Sequence, residues 1–203
     1  MKIIAVVALV LLLPFGCNSQ QTPAPRNETA KVPTSEPVEA APAEDSVSEG
    51  TPADGVTVEI KDFDGIQELI AGKRGKVVVM DCWSTWCEPC VKEFPGLVKL
   101  HEKYGDKVAC ISLSFNYAGG KNESPEDHQE AVLEFLRSQH ATFDNVLASV
   151  PDEELYQRLG FKSAAVPAIF VYDREGNLVG QFESAEAKYS EVEKLVGELI
   201  EKP

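Results

Sequence analysis

Two cysteines separated by two residues, at the point where a buried strand meets a helix, constrain the fold of this chain more than any other feature. The apolar run from Val77 to Met80 is typical of a fully buried strand. Cys87 and Cys90 follow it, and a helix is predicted from Cys87 to about Tyr104, kinked at Pro95 because proline removes a backbone donor. Two cysteines at this spacing and position are close enough to form a small disulfide ring.

The position of the pair assigns a different role to each cysteine. Cys87 caps the helix N-terminus, where free backbone N–H groups and the helix dipole stabilise a thiolate, so we expect it to be the attacking nucleophile. Cys90 lies one turn inside the helix and should resolve a mixed disulfide by attacking Cys87. Zinc is the alternative, but a zinc site needs two further ligands, and the sequence has no second Cys-x-x-Cys or histidine pair. We therefore predict a redox-active pair with no metal and no other cofactor.

Predicted strands and helices alternate along the rest of the chain. Strands are expected at 56–60, 108–113, 145–148, 168–172 and 178–182, and helices at 64–71, 124–136, 151–159 and 191–200. The last two strands flank a turn at 173–177 and should form a hairpin, and Ser190 with Glu193 should form a capping box for the last helix. This order predicts an α/β fold in which a mixed central sheet is flanked by helices on both faces.

The segment from Val79 to Cys90 resembles the active-site segment of thioredoxin-like proteins, and Val166-Pro167 before a strand resembles their cis-proline. Cys-Glu-Pro-Cys followed by Glu-Phe-Pro at 93–95 is especially similar to the ResA/TlpA group of membrane-attached bacterial thiol-disulfide reductases. The resemblance covers about residues 56–203. It implies a thioredoxin-like fold, thiol-disulfide oxidoreductase activity and a cis peptide bond before Pro167, beside the disulfide.

The resemblance also singles out two acids. Asp81 falls where thioredoxins keep a buried acid, a candidate proton acceptor for Cys90, and Glu93 falls where ResA-like proteins use a glutamate. An acid buried near thiols should have a raised pKa and can relay protons. The alternatives are a strand-end acid held by backbone bonds for Asp81 and a solvated helix face for Glu93. The expected substrate-binding residues are Trp86, Glu88, Pro89, Val166 and Pro167, with Trp86 partly exposed and Trp83 packed against the motif.

The other cysteines of the predicted domain and the histidines are expected to be structural. Cys82 and Cys110 lie in apolar strands that can be neighbours in the sheet, and core packing is favoured over a second redox pair. The histidines show no ligand spacing and are predicted to lie at the surface: His101, His128 and His140. Residues 116–121 are expected to form a mobile surface loop, with a border on the active site as the alternative.

The first residues predict export. Lys2 precedes an apolar run from Ile3 to Leu13 that is shorter than the about 20 residues needed to span a membrane. Residues 1–17 are therefore predicted to be a lipoprotein-type signal peptide that ends at a lipobox cysteine. Gly16-Cys17 resembles a lipobox, with Pro14 where leucine is usual, and predicts lipidation at Cys17; a cleaved signal with a stray cysteine is the alternative. Residues 18–54, rich in proline and acids, are predicted to be a disordered tether, and residues 55–203 the thioredoxin-like domain.

Charge and motif together define the expected function. The net charge of −14, from 33 acidic and 19 basic residues, argues against a nucleic-acid partner. We expect a monomeric lipoprotein of the bacterial cell envelope, facing the periplasm or the exterior, that reduces protein disulfides through Cys87 and Cys90. The resemblance implies a membrane electron donor and a place in cytochrome c maturation. The alternatives are a thiol oxidase or isomerase of the same fold and a thioredoxin-fold metal-binding chaperone.

Overall fold

A computed structural model describes residues 54–202, which form a six-stranded sheet covered by helices. The strands are β1 (Glu59–Lys61), β2 (Val77–Trp83), β3 (Val108–Ser114), β4 (Asp144–Ala148), β5 (Ala168–Tyr172) and β6 (Leu178–Glu183). The helices are α1 (Phe63–Ala71), α2 (Glu88–Glu93), α3 (Pro95–Tyr104), α4 (Glu126–Ser138), α5 (Asp152–Leu159) and α6 (Tyr189–Glu201).

The sheet is mixed, as predicted, with the strand order β1-β4-β3-β2-β5-β6. Every residue of β2 and β3 is buried, which fits their central position and their runs of apolar residues. The strands from β1 to β2 in this order pair in parallel, so helical crossovers join them. Strand β5 pairs antiparallel with β2 and with β6. The Asp173 carboxylate fixes the turn of the β5–β6 hairpin by accepting the N–H groups of Glu175 and Asn177.

Side chains of β2 alternate between two apolar layers, because successive residues of a strand point to opposite faces of the sheet. On one face, Val79 and Trp83 pack with residues of α3, α4 and α6. On the other face, Met80 and Cys82 pack with residues of α1 and α5. Cys87 and Cys90 belong to the first of these layers, so the disulfide shares its apolar layer with residues of α3, α4 and α6.

Two expectations about helices differ from the structure. The single kinked helix predicted from Cys87 is divided into α2 and α3, and the second of these begins at the proline that was expected to bend it. The capping box at Ser190 is wrong, since α6 already begins at Tyr189 and its start has no cap from a side chain of residues 54–202. Tyr189 is buried against the core and forms the first residue of the helix, so Ser190 lies inside the helix and not at its cap. Glu193 forms an ion pair with Lys103 of α3 instead.

The predicted signal peptide, Cys17 and nearly all of the predicted tether lie outside the described residues. Asp54, the last residue assigned to the tether, accepts the Val56 N–H at 3.1 Å and forms an ion pair with Arg137 at 3.0 Å. Among the helices of residues 54–202, none has the length and apolar character needed to cross a membrane.

Candidate active site

The two motif cysteines form a disulfide at the start of α2. Cys87 is the N-cap residue of the helix, and the Cys90 N–H donates to the Cys87 sulfur at 3.3 Å, with the two Cα atoms 5.2 Å apart. Cys87 keeps 5% of its surface exposed, whereas Cys90 keeps 2%. The more accessible cysteine is therefore also the one whose sulfur accepts a backbone N–H of the helix start, a contact that favours negative charge on sulfur.

Asn116 fixes the turn between β2 and the motif, and sequence reasoning did not identify this role. Its side-chain oxygen accepts the Thr85 N–H at 3.0 Å and the Ser114 hydroxyl at 2.9 Å, and its amide donates to the Thr85 hydroxyl at 2.6 Å. Residues 116–121 were expected to form a mobile surface loop, but Asn116 is buried. It follows β3, which pairs in parallel with β2, so it lies beside the end of β2. A polar residue two positions after the end of a buried strand is the signal that could have found it.

The two tryptophans have the different environments predicted for them. Trp83 is fully buried, with its ring centroid 5.1 Å from that of Phe94 and 4.6 Å from that of Phe135. Trp86 is 63% exposed beside Cys87, which is unusual for so large an apolar ring and leaves it free to contact a partner. The other two exposed motif residues are Glu88 and Pro89.

Asp81 is a buried acid with a side-chain partner. It is 3% exposed, lies on the same face of β2 as Trp83, and accepts the Tyr189 hydroxyl at 2.6 Å. Burial raises the pKa of Asp81 from 3.8 to about 7; the hydrogen bond from Tyr189 opposes this rise, and the negative charge of Glu93 adds to it. Burial also raises the pKa of Tyr189 well above its usual value, so its hydroxyl remains a donor at neutral pH. Asp81 therefore titrates near neutral pH and is not an acid held by backbone bonds.

Gly96 allows Tyr189 to reach Asp81. A Cβ atom at position 96 would overlap with the Tyr189 side chain, so only glycine lets the tyrosine pass so close to α3. The contact joins the start of α6 to the first turn of α3, directly after the motif helix. Tyr189 is 108 residues from Asp81 in the sequence, and no local pattern links the two.

Glu93 lies at the end of α2 and is half-buried. It lines a groove of about 480 Å³ that also contains Lys92, Lys99 and Tyr189. Its charge contributes to the raised pKa of Asp81. Glu93 is therefore close enough to the interior of the site to influence it, and a fully solvated helix face does not describe its position.

The peptide bond between Val166 and Pro167 is cis, as the resemblance implies. Ala168, the next residue, pairs with Cys82 near the end of β2, so the cis-proline lies at the end of the sheet that carries the disulfide. Pro167 is buried, and its carbonyl accepts the Ser184 N–H at 2.9 Å.

The remaining cysteines and histidines are only partly where they were expected. Cys82 and Cys110 are buried free thiols in neighbouring strands, as predicted, but they face opposite layers of the sheet. His101 is wrongly predicted as a surface residue, since its ring packs 5.3 Å from Phe143 and its Nδ1 atom is buried. His128 is half-buried against Glu123 at 2.7 Å, and only His140 is exposed. Within residues 54–202, no group of three or more acidic, histidine or cysteine side chains is arranged to hold a metal ion.

A protein-family model described as Redoxin matches residues 39–199, most of the chain. The chain belongs to the Redoxin family. This Redoxin-family chain is 26% identical over 117 residues to the thioredoxin-like protein YneN of Bacillus subtilis, an alignment that covers 58% of this chain and 62% of that protein. It is also 26% identical over 138 residues to the thiol-disulfide oxidoreductase ResA of Bacillus subtilis, covering 66% of this chain and 67% of ResA. The chain thus spans about two thirds of the length of these curated relatives.

Solved structures show the same fold for this Redoxin-family chain. A DsbF homologue from Corynebacterium diphtheriae matches with a TM-score of 0.52 and 22% identity, over 64% of this chain and 76% of that one. A thiol-disulfide isomerase from Corynebacterium glutamicum matches with a TM-score of 0.52 and 20% identity, over 66% of this chain and 86% of that one. The predicted thioredoxin-like fold and the resemblance to ResA-type proteins are confirmed.

Proposed function

We propose that this protein is a thiol-disulfide oxidoreductase that reduces disulfides of other proteins through Cys87 and Cys90. One observation carries the proposal: the disulfide lies at a helix start, in the same apolar layer that contains Tyr189, the partner of a buried acid that titrates near neutral pH. A purely structural disulfide needs no such acid. Perturbed acids cluster at functional sites because proton transfer requires them.

The first step is attack by Cys87 in the reduced protein. Its thiolate attacks one sulfur of a substrate disulfide, the substrate S–S bond breaks, and the other substrate sulfur leaves as a thiolate that takes up a proton. The product is a mixed disulfide between Cys87 and the substrate. We assign substrate contact during this step to the exposed ring of Trp86, the neighbouring Glu88 and Pro89, and the cis-proline edge formed by Val166 and Pro167.

The second step is resolution by Cys90. Its thiol loses a proton, and the thiolate attacks the Cys87 sulfur, which forms the intramolecular disulfide, breaks the mixed disulfide and releases the second substrate sulfur as a thiolate that takes up a proton. The substrate gains two electrons and the protein loses two. We assign the proton of Cys90 to Asp81, because a carboxylate with a pKa of about 7 can accept and return a proton at neutral pH. Glu93 modulates this transfer through its charge.

Further turnover requires a donor that reduces the Cys87–Cys90 disulfide. We propose a membrane dithiol as this donor and, from the resemblance to the ResA/TlpA group, cytochrome c maturation as the process served. Reduction returns two electrons and two protons to the pair. The same mechanics run in reverse for an oxidase, so the reduction potential of the pair relative to its partners determines the direction.

We also propose that residues 1–17 direct export, that Cys17 carries a lipid anchor, and that residues 18–54 separate the domain from the membrane. The apolar leader that ends in Gly16-Cys17 and the proline-rich acidic stretch after it support this proposal. Cys17→Ala should release the protein into the soluble fraction of the cell envelope. Membrane retention of this variant to the same extent as the wild type would contradict lipidation.

Trapping of the mixed disulfide tests the proposed function directly. Cys90→Ser should accumulate a covalent complex with substrate protein through Cys87, detected on non-reducing gels and released by a reducing agent. Cys87→Ser should accumulate none. Cys82→Ala, which changes a thiol in the opposite layer, serves as the control and should retain turnover with insulin. Equal trapping by Cys90→Ser and Cys87→Ser would remove the asymmetry on which the proposal depends.

A further inference from the structure

Glu183, at the end of β6, accepts hydrogen bonds from four different donors. One carboxylate oxygen accepts the Lys162 N–H at 2.9 Å and the Gln181 amide at 2.6 Å. The other accepts the Ser163 N–H and the Ser163 hydroxyl, both at 2.7 Å. Burial raises the pKa of Glu183, but these hydrogen bonds outweigh burial and hold the pKa below its usual value, so the side chain is charged at neutral pH.

Three of these donors, the Lys162 N–H and the N–H and hydroxyl of Ser163, belong to the loop at 161–167, which leads from α5 to the cis-proline. The fourth, Gln181, lies on β6 itself. Gln181 extends the network by donating to the Gly160 carbonyl at 3.0 Å, where α5 ends. Ser184, next to Glu183, donates its N–H to the Pro167 carbonyl at the other end of the loop. Ser184 also has a φ of 52°, which is uncommon for a residue other than glycine. The last residue of β6 and the residue that follows it therefore hold both ends of the 161–167 loop.

We propose that Glu183 is a positioning residue that fixes the 161–167 loop, and with it the edge at Val166 and Pro167, in the conformation that receives an extended protein substrate. The inference rests on the proposed function, because it concerns the substrate-binding edge of that same site. Glu183 does not touch the reacting sulfur atoms. It acts by accepting hydrogen bonds from the backbone N–H groups of Lys162 and Ser163 in the loop.

The charge of the side chain is essential to this role. A glutamine at position 183 has one accepting oxygen, and its NH2 group would face the donors of the other oxygen, either Lys162 and Gln181 or Ser163. Glu183→Gln should therefore release part of the loop while keeping the size of the side chain. Glu186→Gln is the matched control, since Glu186 is exposed three residues away and its carboxylate makes no hydrogen bond or ion pair with the described part of the chain.

Two measurements on the full-length protein test the inference. Amide hydrogen exchange should become faster at Lys162 and Ser163 in Glu183→Gln and stay unchanged in Glu186→Gln. With insulin as the protein disulfide, Glu183→Gln should lower kcat/KM by roughly tenfold or more, mainly through KM, because misplaced contacts remove binding geometry. With a small aryl disulfide, which does not need the loop, its rate should match the wild type. Ser163→Ala, which removes one donor and no charge, should show the same pattern more weakly and serves if Glu183→Gln does not fold.

Each other outcome overturns the inference. Unchanged exchange at Lys162 and Ser163 would show that Glu183 does not hold the loop. Faster exchange with an unchanged KM for insulin would show that the loop does not position substrate. An equal loss with insulin and with the aryl disulfide would indicate damage to the reacting centre. Failure of the wild type to reduce either disulfide would refute the proposed function instead, and the exchange data would still decide whether Glu183 holds the loop.

Discussion

Replacement of Asp81 by asparagine should change how the stability of the protein depends on pH. In the folded protein the pKa of Asp81 is about 7, against its ordinary value of 3.8. Between these two values the native state binds a proton that the unfolded state does not, so the free energy of unfolding falls as pH rises across this window. The penalty is absent below about pH 4 and complete above about pH 8.

The size of the effect follows from the two pKa values. Each pKa unit corresponds to about 1.4 kcal/mol, so the rise of the pKa from 3.8 to about 7 gives a penalty of about 4 kcal/mol for the ionised form above neutral pH. Asparagine cannot ionise, and Asp81→Asn should lack this penalty. Among the side chains of residues 54–202, Tyr189 is the hydrogen-bond partner of this position, so an asparagine amide buried there leaves N–H groups unpaired and costs about 1 to 3 kcal/mol at every pH. The informative quantity is therefore how the difference in free energy of unfolding between Asp81→Asn and wild type changes with pH, and not its value at one pH.

Urea unfolding of the oxidised protein at pH values from 4 to 8.5, followed by tryptophan fluorescence, measures this change. The stability of Asp81→Asn relative to wild type should rise by about 4 kcal/mol over the range. Tyr189→Phe removes the hydrogen bond that opposes the shift, so its pH-dependent loss should extend to higher pH. Glu68→Gln, on the exposed face of α1, serves as the control. Parallel stability curves for wild type and Asp81→Asn would refute the assignment of a raised pKa to Asp81.

Three further substitutions test other parts of the site. Gly96→Ala should destabilise the protein by about 1 to 3 kcal/mol in urea unfolding, because the new methyl group displaces Tyr189; wild-type stability would contradict this packing. Glu93→Gln removes a negative charge near the thiols, so alkylation of reduced Cys87 should shift to lower pH, and superimposable profiles would leave Glu93 without an electrostatic role. Trp86→Ala should raise the KM for insulin by about tenfold and leave a small disulfide unaffected, whereas equal effects on both would exclude a docking role.

The parts of the site that are contiguous in sequence could be predicted from it. The run at Val77 predicts a buried strand and the Cys-x-x-Cys spacing predicts a helix start, and the structure has both. Pro95 was expected to kink a single helix, and instead a second helix begins there. The cis bond at Pro167 was predicted from the family resemblance alone, because most peptide bonds before proline are trans and the residues themselves do not determine the isomer. The strand and the helix start can be predicted because each depends on a few residues that are neighbours in the sequence.

The contacts that adjust the chemistry could not be predicted in the same way. Asp81 was identified, but its partner Tyr189 comes from the last helix, and the register of that helix against α3 depends on the space left by Gly96. The capping box failed for the same reason, because burial of Tyr189 outweighed a local capping preference. The sequence analysis did not single out Glu183, because three of its four donors come from the 161–167 loop, which meets β6 only in the folded chain.

The reduction potential of the Cys87–Cys90 pair, measured by equilibration with a dithiol buffer of known potential, tests the proposed direction of electron transfer most directly. Asp81 and Glu93 place negative charge near the site, which opposes thiolate formation and so disfavours the reduced form. A reductase with this arrangement should have a potential below about −200 mV, in the range of thioredoxins and glutaredoxins. A potential near −120 mV, as in the strongly oxidising members of this fold, would contradict a reductase and indicate an oxidase instead.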